Sequence, residues 1–328
     1  MTIPSGDIPM TIIGGYLGAG KTTVINRLLS QNQGQRLAVL VNDFGALNID
    51  VELIEYQQGN TYGLSNGCVC CSITDDLGTT LVEVTGAEDP PDQIILETSG
   101  VAEPAKLAVY CDGWPGVTLQ SIFIIADAET IETRSRDKFV GGLVRRQLLA
   151  ADLLIMNKLD LIDTGQLADL RVWLEQQGVH AQILETQHGA IPLELLLTSA
   201  NNLNCQEPER INEGDHYHGE EFYSLVIEDE FPWRREKLIA TLNDMPSHLI
   251  RAKGIVSIIE EASVGSYLLQ LVGRRYSIQK FDKNQEKSPA TRLALIGINK
   301  GGDLDEIAQR LKSCAGPIQS GGKHSFAD

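Results

Sequence analysis

The stretch from Gly15 to Thr22 reads GYLGAGKT and decides the fold of this 328-residue chain. It follows a short apolar run, Met10–Ile13, and precedes a helix-forming segment, Thr23–Leu29. Its spacing is G-x-x-x-x-G-K-[ST], in which glycines let backbone N–H groups turn towards phosphate oxygens. Lys21 can reach the β- and γ-phosphates of a nucleotide, and the Thr22 hydroxyl can bind Mg²⁺. The stretch therefore predicts a strand, a phosphate-binding loop and a helix whose N-terminus faces the anion.

The region downstream alternates between strand-like and helical segments. The strand-like runs are Leu37–Val41, Gln93–Leu96, Leu119–Ala126, Leu153–Met156 and Ala181–Leu184. This alternation predicts a doubly wound, mostly parallel α/β sheet. Because ligands of such sheets bind at the carboxyl ends of the strands, the polar residues directly after these runs are the binding candidates.

One of these runs ends in Asn157-Lys158-Leu159-Asp160, written NKLD. The Asp160 carboxylate can accept hydrogen bonds from guanine N1–H and from the guanine N2 amino group. Adenine offers no such pair and would leave the carboxylate unpaired, which is how polar sites discriminate strongly. We expect Lys158 over the base plane and Asn157 holding the loop and the base edge. The pattern favours GTP or GDP, and Asp160 argues against the alternative of an ATP-dependent kinase.

The run Gln93–Leu96 ends in Glu97-Thr98-Ser99-Gly100. An acid at the position of Glu97 suits an outer-sphere Mg²⁺ contact through water. Gly100 offers a backbone N–H that can approach the γ-phosphate. Lys21, Glu97 and Gly100 are therefore the candidate catalytic residues. Asp127 ends the next strand and is either a further polar group at the rim of the site or a helix N-cap, of which the cap is favoured.

Three of the six cysteines, Cys68, Cys70 and Cys71, lie within the stretch NGCVCCS. The following Ser72-Ile-Thr-Asp75 resembles a capping box, which predicts a helix starting right after Cys71. A helix N-terminus lowers the pKa of thiols, and thiolates are soft ligands for Zn²⁺ and similar ions. A redox-sensing cluster and inert buried thiols are the alternatives. The isolated cysteines, interpreted as small apolar residues, are Cys111, Cys205 and Cys314.

Composition narrows the class of partner. Lys and Arg total 27 against 44 Asp and Glu, a net charge of −17, which argues against general nucleic-acid binding. No apolar run approaches the roughly 20 residues that span a bilayer, and the N-terminus lacks the features of a secretory signal. We therefore expect a cytoplasmic location and no membrane partner. Thiols stay reduced there, so clustered cysteines indicate metal or catalytic chemistry.

The length of the chain favours two domains. We predict a P-loop GTPase domain at 1–205, a linker at 206–220, a smaller α+β domain at 221–316 and a flexible tail at 317–328. His216 and His218 lie in the polar linker and are interpreted as solvated side chains rather than as a metal-collecting tract. In the second domain, alternating apolar residues predict strands and the stripe from Leu304 to Leu311 predicts a final helix.

Together these segments resemble the CobW-type family of P-loop GTPases, which includes zinc chaperones, cobalamin-pathway proteins and nitrile hydratase activators. The shared stretches are GGYLGAGKTT, VNDFGALNID, NGCVCCS, ILETSGVAEP, LLAADLLIMNKLDL and LIRAKGIV. The resemblance implies GTP hydrolysis coupled to transfer of a metal ion to a client metalloprotein. Zn²⁺ is the default cargo from thiolate softness, and Co²⁺ accepts the same ligands.

The resemblance also implies roles for individual residues. It implies phosphate and Mg²⁺ contacts at Gly15, Gly18, Gly20, Lys21, Thr22 and Thr23, guanine contacts at Asn157, Lys158 and Asp160, and metal ligands at Cys68, Cys70 and Cys71. His188 lies where the family closes the guanine pocket, and it either lines that pocket or ends a strand. The family often has Glu where this chain has Asp43 and Ala46. The fourth metal ligand therefore stays open between Asp43, water and a client residue.

No arginine finger is identifiable in the sequence, so we expect slow hydrolysis by the isolated chain. The expected partners are a client metalloprotein and, in a GTP-dependent homodimer, a second copy of the chain. Two other functions compete with this one: a GTPase with a redox-sensing thiol cluster, and a cobalt-specific activator in the cobalamin pathway or of nitrile hydratase.

Overall fold

The computed structural model describes residues 7–32, 35–41, 60–63, 72–197, 209–210, 222–246, 248–260, 263–281, 290–298 and 304–316. At 60–63, 72–76 and 209–210 only the backbone is described. The chain divides into two compact units, one containing the elements through Leu197 and the other containing the elements after it. The domain boundaries drawn from the sequence, at 205, 220 and 316, stay predictions.

A parallel sheet forms the centre of the first unit. Within the described residues its strands run in the order β3-β2-β4-β1-β5-β6-β7, and every neighbouring pair is parallel. The strands are β1 Ile8–Gly14, β2 Leu37–Val41, β3 Asn60–Gly63, β4 Gln93–Glu97, β5 Val117–Asp127, β6 Leu153–Asn157 and β7 Gln182–Glu185. The predicted doubly wound α/β fold is confirmed.

Helices cover both faces of this sheet. They are α1 Lys21–Ser30, α2 Ser72–Thr85, α3 Pro104–Asp112, α4 Ile131–Ser135, α5 Gly141–Leu149, α6 Thr164–Gln176 and α7 Glu194–Leu197. One apolar core joins α2, α3, α5 and α6 to the sheet face that carries Met10 and Ile12. The connections that contain α2, α3, α5 and α6 all proceed towards the β7 edge of the sheet, whereas the connection from β1 to β2 proceeds towards the β3 edge. A right-handed crossover therefore places α1 on the other face.

The strand register brings the ends of four strands to one edge of the sheet. Ile13 pairs with Glu97 between β1 and β4, and Asp127 pairs with Asn157 between β5 and β6. The polar residues that end β4, β5 and β6 therefore lie at the same edge as the phosphate loop that follows β1. This edge is where a parallel α/β sheet binds its ligands.

The second unit is a largely antiparallel sheet with two helices among its described elements. The strand order is β13-β12-β11-β14-β9-β8, in which neighbours are antiparallel, and β10 pairs in parallel with β11. The elements are β8 Glu209–Arg210, β9 Phe222–Asp229, β10 Trp233–Arg234, α8 Arg235–Asn243, β11 Leu249–Glu260, β12 Ser263–Val272, β13 Arg275–Lys280, β14 Thr291–Ile298 and α9 Leu304–Lys312. Trp233, Leu238 and Ile307 pack in one core, and the predicted α+β architecture is confirmed.

A capping box begins α6, the helix that follows the NKLD segment. Asp163 Oδ1 accepts a hydrogen bond from Gln166 N at 2.8 Å, and Gln166 Oε1 accepts one from Asp163 N at 2.9 Å. We expect Asp163→Ala to lower the free energy of unfolding by about 1 kcal/mol, because N–H groups at the helix start lose their acceptor. Urea denaturation followed by circular dichroism measures this loss.

Asp169→Ala is the matched control, since Asp169 is exposed in the same helix and lies away from its first turn. Its effect should stay within about 0.5 kcal/mol. Equal losses in the two variants would show that the cap contributes nothing particular to α6.

Candidate nucleotide-binding site

The loop between β1 and α1 has the backbone conformation of a phosphate loop. Gly15, Gly18 and Gly20 have φ angles of 138°, 78° and 101°, which side-chain-bearing residues rarely adopt. A Cβ on Gly15 would also collide with the Ile125 carbonyl oxygen, and one on Gly20 would lie 2.5 Å from Asn157 Nδ2. Glycine is therefore required here both by the backbone turn and by the close approach of neighbouring strands.

Lys21 and Thr22 begin α1 and point in different directions. Lys21 is 9% exposed, and its Nζ donates a hydrogen bond to the Gly15 carbonyl oxygen at 3.1 Å, which folds the side chain back over the loop. Thr22 Oγ1 donates to Glu97 Oε1 at 3.3 Å, and Thr23 is exposed. The Thr22 hydroxyl and the buried Glu97 carboxylate are oxygen donors of the kind that Mg²⁺ prefers, so the two side chains fit that ion.

The segment after β4 lies directly against the phosphate loop. Thr98 N donates to the Ile13 carbonyl oxygen at 2.9 Å, which extends the pairing of β4 with β1 by one residue. A Cβ on Gly100 would lie 2.5 Å from Leu17 Cδ2 and 2.8 Å from Leu17 N. The backbone of residue 100 can approach the loop this closely because it carries no side chain.

Asn157 connects the phosphate loop to the loop that follows β7. Its Nδ2 donates to the Ala19 carbonyl oxygen at 3.0 Å, and its Oδ1 accepts from Gly189 N at 2.9 Å. The side chain is 2% exposed, so both hydrogen bonds are shielded from water. A single amide therefore sets the distance between the segment for the phosphates and the segment expected at the base.

The NKLD segment and the loop after β7 share an unusual backbone. Lys158 has φ 64° and His188 has φ 54°, a left-handed conformation that is uncommon without glycine. Asp160 lies in the 3₁₀ turn Leu159–Leu161 and is exposed, as is His188. The carboxylate that we expect to bind guanine is thus accessible to a ligand.

The interpretation of Asp127 as a helix N-cap is wrong. The N-cap of α4 is Thr130, and the Asp127 Oδ1 accepts a hydrogen bond from Glu129 N at 3.0 Å in the preceding turn. The Oδ2 of Asp127 instead pairs with Lys158 Nζ at 2.8 Å. Neighbouring strand ends bring these two opposite charges together, and the pair holds the Lys158 side chain across the end of β5.

The predicted ligands of the transferred metal ion lie outside the described residues. This applies to Asp43, Cys68, Cys70 and Cys71, and to Ala46, Cys205, His216 and His218. Among the residues that the structure describes, no group of three or more His, Cys, Asp or Glu side chains is arranged for a metal ion. Cys111 and Cys314 are buried, and burial raises the pKa of Cys111 to about 12. No helix in the described ranges is long and apolar enough to cross a membrane.

The second unit holds one buried and one partly buried cationic side chain, Arg251 and Lys253, whose burial the sequence patterns did not predict. Burial lowers the pKa of Arg251 to about 9. Burial, with a smaller contribution from Arg251, lowers the pKa of Lys253 to about 8. Both residues belong to the LIRAKGIV stretch on β11, where strand alternation places them on the same face.

We expect Asn157→Asp to weaken GDP binding at least about tenfold. The carboxylate keeps the acceptor for Gly189 N but opposes the Ala19 carbonyl oxygen, so the end of the phosphate loop loses its donor. Titration with a fluorescent GDP derivative measures the change. Asn32→Asp is the matched control, because Asn32 bridges the backbone N–H and C=O of Gln35 in a turn outside the site. Unchanged GDP affinity in Asn157→Asp would refute the role of this bridge.

Two protein-family models match this chain, one in its N-terminal part and one in its C-terminal part. The family model described as the CobW/HypB/UreG nucleotide-binding domain matches residues 9–185, and the model described as the cobalamin synthesis protein CobW C-terminal domain matches residues 222–315.

Curated relatives extend over nearly the whole length. A zinc chaperone CobW of Pseudomonas aeruginosa is 30% identical, over 93% of this chain and 91% of its own length. A zinc chaperone CobW of a Sinorhizobium species is 28% identical, over 93% of this chain and 96% of its own length. The solved Zn(II)-bound YjiA GTPase of Escherichia coli is 20% identical with a TM-score of 0.43, over 95% of this chain and all of its own. On the family models and the Pseudomonas relative, this chain belongs to the CobW/HypB/UreG family.

Proposed function

We propose that this chain is a GTP-hydrolysing metallochaperone. It binds Zn²⁺, or alternatively Co²⁺, at Cys68, Cys70 and Cys71 and delivers the ion to a client metalloprotein. One observation carries the nucleotide half of this proposal: the Asn157 amide joins the phosphate loop at Ala19 to the loop at Gly189. The names of the zinc chaperone relatives support the metal half.

Each described residue of the site has a role in the proposal. Backbone N–H groups around Gly15, Gly18 and Gly20 surround the phosphates, and Lys21 leaves the Gly15 carbonyl for the β- and γ-phosphates. Thr22 would bind Mg²⁺ and Glu97 would contact the ion through water, and the ion would neutralise charge on the phosphates. Asp160 accepts from the guanine edge, Lys158 lies over its plane, and His188 borders the same pocket.

The proposed reaction is attack of water on the γ-phosphorus, which breaks its bond to the β–γ bridging oxygen and releases GDP and phosphate. The Gly100 N–H donates to a γ-phosphate oxygen from its place against Leu17. Lys21 places one positive charge beside the same group. Because catalysis of phosphoryl transfer depends on stabilising spread negative charge, we expect slow hydrolysis until a partner adds a second cation.

The sheet topology supports coupling between nucleotide and metal. β3 runs parallel to β2, and Gly63 is in register with Val41, which is itself in register with Glu97. Val41, the last described residue before the segment that contains Asp43, therefore lies at the nucleotide edge. Cys68 follows Gly63 by five residues, so full extension limits its Cα to about 18 Å from that edge. The described strand ends from which both proposed metal segments continue, Val41 and Gly63, therefore lie at the nucleotide edge of the sheet.

Zn²⁺ titration with and without a non-hydrolysable GTP analogue tests the proposal. By linkage, nucleotide should change Zn²⁺ affinity by the factor by which Zn²⁺ changes nucleotide affinity, roughly 5- to 150-fold for common couplings. Combined Cys68→Ser, Cys70→Ser and Cys71→Ser should abolish tight binding, while Cys314→Ala, at a buried thiol of the second unit, should leave it unchanged.

Two outcomes would contradict the proposal. Identical Zn²⁺ affinities with and without the analogue would remove the coupling. Oxidation of the three thiols by mild peroxide without tight metal binding would favour the redox-sensing alternative, and mass spectrometry detects it. A strong preference for Co²⁺ in the same titration would instead identify a cobalt-specific protein. The client, a GTP-dependent homodimer and the cytoplasmic location stay predictions from the sequence.

A further inference from the structure

Helix α5 holds the segment that follows β4. Gln147 lies in α5, is 1% exposed, and its Nε2 donates to the Gly100 carbonyl oxygen at 3.1 Å and to the Ala102 carbonyl oxygen at 2.8 Å. On the opposite side, Gly100 lies against Leu17 of the phosphate loop. The segment Ser99–Ala102 is thus held between the phosphate loop and one side chain of α5.

The orientation of the Gln147 amide follows from its partners. Two carbonyl oxygens can only accept, so the NH₂ group must face the segment. The Gln147 Oε1 then points away, is buried, and finds no hydrogen-bond partner in the part of the chain that the structure describes. Leaving a buried amide oxygen unpaired costs free energy that an apolar side chain would avoid. Filling space therefore does not explain a glutamine here, whereas donating to two backbone carbonyls does.

Glu103, the residue directly after this segment, makes a second and weaker contact with α5. Arg146 Nε lies 3.2 Å from Glu103 Oε2, and Lys106 Nζ lies 3.0 Å from Glu103 Oε1. Lys106, and to a lesser extent Arg146, hold the pKa of the Glu103 carboxyl below its usual value. Both cations are exposed, so water and salt screen these pairs. The buried Gln147 hydrogen bonds are the main restraint on the segment.

We propose that Gln147 is the positioning residue of the γ-phosphate site. It fixes the Gly100 backbone against the phosphate loop before nucleotide arrives, so that the Gly100 N–H is in place for the γ-phosphate. Without these two hydrogen bonds the segment regains backbone freedom, and γ-phosphate binding must order it again. The inference rests on the proposed nucleotide site and adds a residue of α5 that positions Gly100 within it.

Gln147→Met tests this role, because methionine has a similar length and cannot donate. We expect GDP affinity to stay within about twofold of the parent chain, since GDP lacks the group that Gly100 contacts. Affinity for a non-hydrolysable GTP analogue and the kcat for GTP should each fall about tenfold, as expected for the loss of one to two hydrogen bonds. Gln182→Met is the matched control, because Gln182 is also buried but lies at the amino end of β7.

Gln147→Leu is the second variant, for the case that Gln147→Met does not fold. It is apolar and of similar size, removes the donors and should also weaken binding of the analogue relative to GDP. The inference is overturned if a folded variant has the same ratio of GDP affinity to analogue affinity as the parent chain. This applies whether the two affinities are unchanged or are reduced by the same factor. Absence of GDP binding by the parent chain would overturn the proposed function as well.

Discussion

The amide of Asn157 is the constraint on which the candidate site depends. Its two hydrogen bonds, to the Ala19 carbonyl oxygen and from Gly189 N, connect two loops that are far apart in the sequence. The glycine at position 20 leaves room for this amide, since a Cβ there would lie 2.5 Å from it. The phosphate loop and the NKLD segment are therefore parts of one hydrogen-bonded unit at the edge of the sheet.

That unit explains how a chain with a net charge of −17 can bind an anionic nucleotide. Binding depends on local groups: backbone N–H groups of the phosphate loop, the N-terminus of α1 and the Lys21 ammonium. Two acidic side chains at the same edge already have cationic or hydroxyl partners: Glu97 accepts from Thr22, and Asp127 pairs with Lys158. Net charge thus affects which partners the protein attracts at long range, whereas local geometry determines what binds at the site.

Much of the first unit could be predicted because its strands are short apolar runs that end in polar motifs. The predicted run Leu37–Val41 matches β2, and the other predicted strands differ by at most two residues at either end. β3, Asn60–Gly63, was missed because NTYG has no apolar pattern. The pairing of Asp127 with Lys158 and the contacts of Gln147 depend on which elements become neighbours in space. Local propensity suggested a helix cap at Asp127, which is wrong, because propensity contains no information about those tertiary partners.

The proposed function requires that this edge of the sheet binds a guanine nucleotide whose base contacts Asp160. Competition of GDP and ADP for the unmodified chain, measured by isothermal titration calorimetry in the presence of Mg²⁺, tests it most directly. GDP should bind at least about a hundredfold more tightly than ADP, because adenine leaves the Asp160 carboxylate without its donors. Equal affinities for GDP and ADP would contradict it.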